Sequence, residues 1–414
     1  MTEVDLAALS RSEFSRLVAL IARRIGAHRV DLAEDAVQDA FAAAVRTWGA
    51  ESPPRDARAW LYRSAWNRAV DRLRRAEAAS LPDEELAVGS VAVPDSRIGP
   101  NDSELRLILL CCHPVLSAES QVALTLKVAA GFSVPEIGRL LRASPDAVDQ
   151  RLVRAKRSLL RLGADFELSA DEIRRRAAVA LTVLYAMFSE GYASITAPSG
   201  LRRELCFEAL RLARVMLADP TTWSPEAHAV AALFAFQASR LDTRVDDAGE
   251  FQSIRDQDRS RWNRQLIALG TDHLRLAAAG SNLSRYHLEA EIAACHAAAP
   301  RYEATDWGRI TDLYDLLAAR SPTPLVLLNR AIALGERDGP DAALGALTEL
   351  QRELEGDPHF HAAWADAATR LGRLNEARAH LGRAAAGATA PASKRLLEIR
   401  LRQLDVGFGP VRPS

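Results

Sequence analysis

The sequence predicts an all-α chain, with two small helical modules followed by a long block of stacked helices. Three observations lead there. Ala and Leu dominate a chain of 414 residues that is 48% hydrophobic and only 6% aromatic. Apolar residues recur at the three- and four-residue spacing of amphipathic helices. The near-neutral total charge of −1 hides segments of opposite sign, which divide the chain into parts, as its length also requires. Residues 1–76 carry 13 arginines against 10 acids, 77–102 carry one against six, and 103–162 carry nine basic residues against five acids. The remaining 252 residues carry 30 basic residues against 33 acids. The expected parts are therefore a basic module over 1–76, an acidic flexible linker over 77–102, a second basic module over 103–162 and a near-neutral helical block over 163–414.

Composition close to the globular average excludes collagenous, low-complexity and disordered classes. The longest apolar stretches, Ala177 to Phe188 and Ala227 to Ser239, fall short of the roughly 20 residues that a bilayer span needs. The first residues show no basic patch followed by an apolar run, so no signal peptide is expected. A cytoplasmic protein without a membrane partner is the expectation. Four cysteines, two of them adjacent at 111 and 112, are too few for a disulfide framework. The scarcity of lysine, present only at 127, 156 and 394, reads as codon bias of a GC-rich genome without structural meaning.

In the first module, Phe14, Leu17, Val18, Ile21 and Ile25 recur on one helical face. Over Asp31 to Trp48, Val37, Ala40, Phe41, Ala44, Val45 and Trp48 share one arc. Asp31, Glu34, Asp35, Gln38 and Asp39 share the opposite one, which is either a solvated face or a docking surface for a basic partner. A third helix, Ala57 to Ala76, buries Leu61, Tyr62, Ala65, Trp66, Ala69 and Leu73. Its other arc holds Trp60, Arg63, Ser64, Asn67, Arg68, Asp71, Arg74 and Arg75. An aromatic ring among guanidinium groups suits stacking on an unpaired base beside held phosphates, while simple packing of Trp60 on the preceding loop is the alternative.

The linker holds an acidic LPDEEL run, Gly89 and two prolines, and is expected to be extended and mobile. Beyond it, a helix from about Glu119 to Ala130 is broken by Gly131. Ser133 caps a short helix, and Ser144 caps another with Pro145 in its first turn. Two short helices around a tight turn, the second strongly basic, form a helix-turn-helix. In the second helix Val148, Leu152, Ala155 and Leu159 face inward, while Gln150, Arg154, Arg157 and Arg161 project outward, with Arg151 beside them.

The stretches DLAEDAVQDAFAAAVRTW (Asp31 to Trp48), ARAWLYRSAWNRAVDRLRR (Ala57 to Arg75) and SVPEIGRLLRASPDAVDQRLVRAKRSLLR (Ser133 to Arg161) resemble regions 2.2, 2.3 to 2.4 and 4.2 of an extracytoplasmic-function sigma factor, group IV of the sigma-70 family. This resemblance implies that Asp31, Glu34, Asp35, Gln38 and Asp39 dock on the beta and beta-prime subunits of core RNA polymerase. It implies that Trp60, Arg63, Asn67, Arg68, Arg74 and Arg75 open and hold the −10 element, and that Gln150, Arg151, Arg154, Arg157 and Arg161 contact the −35 element of promoter DNA. It also implies that the linker threads towards the polymerase active-site cleft. Asp149 departs from the family, which often has a neutral or basic residue there, although an acid in the first turns also favours the helix dipole.

The third block is a run of helices with small residues at packing positions. HAAWADAATRLGRLNEARAHLGRAAA (His361 to Ala386) resembles a tetratricopeptide repeat, and LLNRAIALGERDGPDAALGAL fits it more weakly. Gly339 and Gly372 lie 33 residues apart, and Ala343 and Ala377 lie 34 apart, which is the period of such a repeat. With CCHP at Cys111 to Pro114 and DQDRSRW at Asp256 to Trp262, the chain resembles the sigma-factor subgroup with a tetratricopeptide-like C-terminal extension. That implies an extension controlling activity through a protein partner or an intramolecular contact.

No P-loop, HExxH, GxSxG or GxGxxG motif occurs, so neither an enzyme nor a cofactor is expected. Cys111, Cys112 and His113 lack a second cluster at zinc-ligand spacing and read as a buried helix segment. Asp256, Asp258, Arg259 and Arg261 read as a surface or interface ion-pair network, with a ligand site as the alternative. The rival functional class is a stand-alone helix-turn-helix regulator with a helical-repeat sensor, which has no use for an acidic docking face or for Trp60 among arginines.

Overall fold

A computed structural model of the chain describes residues 3–405 apart from 51–53, 79–99, 142, 164–167, 195–196, 198, 247–249 and 281. Among the described residues it is helical, without a β-strand, in agreement with the expected class. The chain divides into two compact units, residues 1–187 with 214–223, and residues 188–213 with 224–414.

The first unit opens with α1 (Glu3–Ile25), α2 (Val30–Ala50) and α3 (Ala57–Ala78). Phe14, Leu17, Val18, Ile21, Val37, Ala40, Phe41, Leu61, Tyr62, Ala65, Ala69 and Leu73 are all buried, as the periodicity predicts. Val45 is 61% exposed, because the apolar arc of α2 is wider than the surface its neighbours cover. Most of the expected linker, residues 79–99, lies outside the described residues.

The chain resumes in α4 (Pro100–Cys111), α5 (Ala118–Leu124), α6 (Val134–Leu141) and α7 (Pro145–Arg161). Ser117 caps α5 by accepting from the Ser120 N–H. The helix expected to run to Ala130 instead widens after Leu124 into a π-turn over Thr125–Ala129, closed by the Ala130 N–H on the Thr125 carbonyl at 3.0 Å. Gly131 then adopts φ +72°, and a Cβ there would stand 3.2 Å from the Phe14 ring of α1, so this turn needs glycine on two counts. The Ser133 N–H and hydroxyl both donate to the Glu136 carboxylate, and Ser144 accepts from the Ala147 N–H. These caps start α6 and α7 where the sequence places them. Val148, Leu152, Ala155 and Leu159 are buried along α7, and each large apolar side chain so placed contributes roughly 1.5–3 kcal/mol.

Regions that the sequence separates by an acidic linker thus belong to one unit. Ser15 and Arg23 of α1 donate to Glu104 and Ser103 of α4. The first turns of α8 (Ala170–Tyr192) and the last of α9 (Arg203–Leu217) also fall within this unit. Arg176 is buried there, and that burial disfavours its charged form.

In the second unit, α10 (Pro225–Ala238) is buried nearly all round, and Phe234 stacks on Phe188 with centroids 4.3 Å apart. Around it follow α11 (Arg264–Ala277), α12 (Arg285–Ala298) and α13 (Trp307–Arg320), then α14 (Pro324–Asp338), α15 (Pro340–Leu354), α16 (Pro358–Arg370), α17 (Leu374–Gly387) and α18 (Pro391–Asp405). Gly339 (φ +99°) and Gly372 (φ +74°) turn α14 into α15 and α16 into α17, giving the 33-residue spacing a structural cause. Ala343 packs so closely on Gly335 that a Cβ at 335 would lie 2.6 Å away. Leu328, Leu344, Leu347 and Phe360 form the core these hairpins share.

Candidate nucleic-acid and polymerase interface

The acidic arc of α2 does not stand uniformly in water. Asp31, Asp35 and Gln38 are exposed, and Arg72 of α3 bridges Asp35 at 3.0 Å and Asp39 at 2.7 Å. Partial burial raises the Asp35 carboxyl despite that guanidinium, and the bond to Asp39 raises Arg72. These half-exposed pairs contribute about 0–1 kcal/mol.

Glu34 departs from the reading of a solvated or free docking face, because it is 1% exposed. Lys127 of the π-turn meets its Oε1 at 3.0 Å and Lys156 of α7 meets its Oε2 at 2.6 Å. Gln38 donates to Oε1 at 2.8 Å. The physical reason is the packing of the second basic module over the N-terminal half of α2, which removes water from the one acid that two ammonium groups can satisfy. Sequence reasoning missed Lys127 and Lys156. The available signal was lysine scarcity, read as codon bias, since two of the chain's three lysines converge on this carboxylate.

On α3, Trp60 is half-buried and packs edge-on against Trp48 of α2, with centroids 5.3 Å apart. Arg63, Asn67, Arg74 and Arg75 are exposed. Arg63 and Arg68 fold back onto the carbonyls of Ala59 and Ser64. On the neighbouring face Arg24 lies over the Tyr62 and Trp66 rings at 5.8 and 5.3 Å, and Trp66, expected in the interior, is only half-buried.

On α7, Gln150, Arg154, Arg157 and Arg161 stand exposed in one row, with Asp149 also in solvent. Arg151 is drawn aside by Glu119 of α5 at 2.7 Å. Cys111 and Cys112 are fully buried. Burial raises both thiols, that of Cys112 to about 12, so they stay protonated side chains of the core.

These surfaces match known sequences. Residues 12–79 match sigma-70 region 2, residues 106–159 match sigma-70 region 4, and residues 175–278 match a family of unknown function, DUF6596. The chain is 37% identical to an uncharacterized protein of Rhizobium meliloti over 91% of its own length and 90% of that protein's. It is 34% identical to the RNA polymerase sigma factor CarQ of Myxococcus xanthus, over 33% of this chain and 78% of CarQ. It is 32% identical to the ECF RNA polymerase sigma factor SigM of Mycobacterium tuberculosis, over 31% of this chain and 63% of that protein. No solved structure matches. The chain belongs to the RNA polymerase sigma factors. Among the described residues no helix is long and apolar enough to cross a membrane.

Proposed function

We propose that this sigma factor docks on core RNA polymerase through the acidic face of α2, holds the −10 element with α3 and reads the −35 element with α7, in the cytoplasm. We further propose that the tetratricopeptide-like extension, from 163 onward in the sequence reading, controls when it does so. The observation that carries this reading is the Glu34 contact. Polymerase docking and the lysine clamp compete for one carboxylate, whereas the rows on α3 and α7 that face DNA remain exposed. A closed free form and an open polymerase-bound form follow, and anything that binds one better than the other shifts the balance.

Transcription by core polymerase with and without the protein, on genomic fragments, tests the reading directly. Absence of any transcript that depends on the protein, from an intact preparation, overturns it. Asp31→Lys with Asp35→Lys should weaken core binding at least about tenfold, through lost electrostatic complementarity, while leaving thermal unfolding of the full chain nearly unchanged. Full core affinity in this variant would remove α2 from the docking surface.

Arg154→Ala should cost about 1–3 kcal/mol at one −35 base pair and relax the preference there. Arg157→Ala and Arg161→Ala should lower affinity evenly across sequences and flatten the salt dependence. Equal, sequence-independent losses for all three would mean that Arg154 reads no base. Truncations after Leu162, Arg320 and Asp357, compared in cells at matched protein level, test the extension. Full-length output from all three would make it a passenger.

A further inference from the structure

The DQDRSRW segment is only in part the surface or interface ion-pair network its sequence suggests, since Asp256 meets Arg400 of α18 at 3.7 Å while Arg259 turns away from any carboxylate among the described residues. Asp256, Asp258 and Ser260 are exposed, while Arg259 is 4% exposed and Gln257 7%. Asp258 caps the short turn that begins at Arg259 by accepting from the Ser260 N–H, and this turns the Arg259 side chain inward. Its Nη1 donates to the carbonyls of His296 and Ala299, but its Nε and Nη2 are buried without a partner.

Two more arginines of the same unit share this condition. Arg244 is 6% exposed and its Nε has no partner. Its guanidinium lies 3.7 Å from the centroid of Tyr192 and 4.8 Å from that of Phe251. Arg240, just past α10, lies 5.3 Å from the same Tyr192 ring. Its Nε donates to Gln237, while its Nη1 is buried and unpartnered. The three charges act on one another, Arg240 on Arg259 and Arg244 on Arg240. The Trp262 indole N–H and the His296 Nδ1 are also buried without partners.

Neighbouring Arg255 shows what a satisfied arginine looks like in this unit, since it pairs with Glu336 at 2.6 Å and Asp366 at 3.6 Å. Among the described residues Arg240, Arg244 and Arg259 form no ion pair with a carboxylate. A guanidinium cannot discharge by losing its proton, and a buried unpaired charge is strongly unfavourable. Stacking on aromatic faces offsets part of that cost and leaves the N–H groups unanswered. His296 cannot share the charge either, because burial and the two neighbouring arginines push it down to about 3.

We propose that Arg240, Arg244 and Arg259 form the binding site of a phosphoryl oxyanion, either free phosphate or the phosphomonoester of a small molecule. Three guanidinium groups, each with a free N–H, call for three acceptor oxygens and about two negative charges, which a phosphoryl group carries. A single carboxylate answers only one such fork. This site goes beyond promoter recognition and stands whether or not the first unit directs transcription.

Thermal unfolding of the full chain tests the site, with inorganic phosphate, glycerol phosphate and citrate as probes against chloride at matched ionic strength. Arg244→Met is the informative variant, because Arg244 makes no side-chain hydrogen bond that Met would abolish. Without phosphate it should melt at or above the wild-type temperature, as expected when an uncompensated charge is removed. At saturating phosphate the wild type should gain about 4 °C, and Arg244→Met and Arg240→Met should lose that gain. A larger gain with glycerol phosphate than with phosphate identifies a phosphomonoester, and the reverse identifies the free ion. Equal gains in wild type and Arg244→Met reduce the effect to general salting and overturn the site, as does no gain with any probe. Protection by citrate alone overturns the phosphoryl assignment.

Discussion

Replacing Lys127 and Lys156 together by Met should separate the second basic module from α2. The double variant leaves Glu34 buried against apolar stems with only Gln38 to answer its carboxylate. Breaking a buried pair from one side costs about 3–5 kcal/mol. Because this charge becomes solvated if the modules part, the cost should appear as opening at a smaller perturbation than unfolding. A pair of probes on exposed positions of α2 and α7, such as Ala42 and Arg157, should report a longer and broader distance distribution, with helicity unchanged. Core polymerase should bind the double variant more tightly, since the competing contact is gone. Adding Glu34→Met should restore the closed distance, because an apolar trio of similar volume is tolerated where an ion cluster stood. An unchanged distance in the double variant would show that α1 against α4 holds the unit closed without the clamp.

Phe360→Ala is expected to have a comparable effect in the second unit. Phe360 is fully buried, lies 5.6 Å from the Trp364 ring and shares a core with Leu328, Leu344 and Leu347. Its truncation should cost about 3–5 kcal/mol. Helix pairs in tandem depend chiefly on their neighbours, so amide exchange should rise across α14–α17 while α10 keeps its protection. Equal loss of protection in α10 would mean that the whole unit opens as one block. If the proposed control by the extension runs through these hairpins, promoter output should shift in parallel. Normal output despite the local opening would detach them from that role.

Local signals made much of this legible in the sequence. The caps at Ser133 and Ser144, the break at Gly131 and the stripe Val148, Leu152, Ala155 and Leu159 each act within one or two turns. They placed α6 and α7 and the exposed row of Gln150, Arg154, Arg157 and Arg161. The repeat glycines at 339 and 372 work in the same way. The partners of Glu34 were not legible, because its bond to Lys156 spans 122 positions and no local pattern encodes such a pairing. The π-turn keeps the apolar periodicity of the helix it interrupts, so spacing alone read a continuous helix. Arg259 looked like surface because Asp256 and Asp258 flank it. What covers it are Trp262 at the end of the same segment, 5.0 Å away, and Tyr302, more than forty residues on, at 5.9 Å.

The scarcity of lysine has a practical consequence. Lys127 and Lys156 keep only 14% and 20% of their side-chain surface in solvent and are held by a carboxylate, while Lys394 on α18 is exposed. An amine-directed reagent therefore meets one reactive side chain, an internal reference, and two that are shielded for as long as Glu34 is held. Mass-spectrometric acylation ratios of 127 and 156 against 394 would read the clamp in untagged protein, in a lysate or on polymerase. The same geometry makes acylation of the two lysines cooperative, since neutralising one loosens the contact that shields the other.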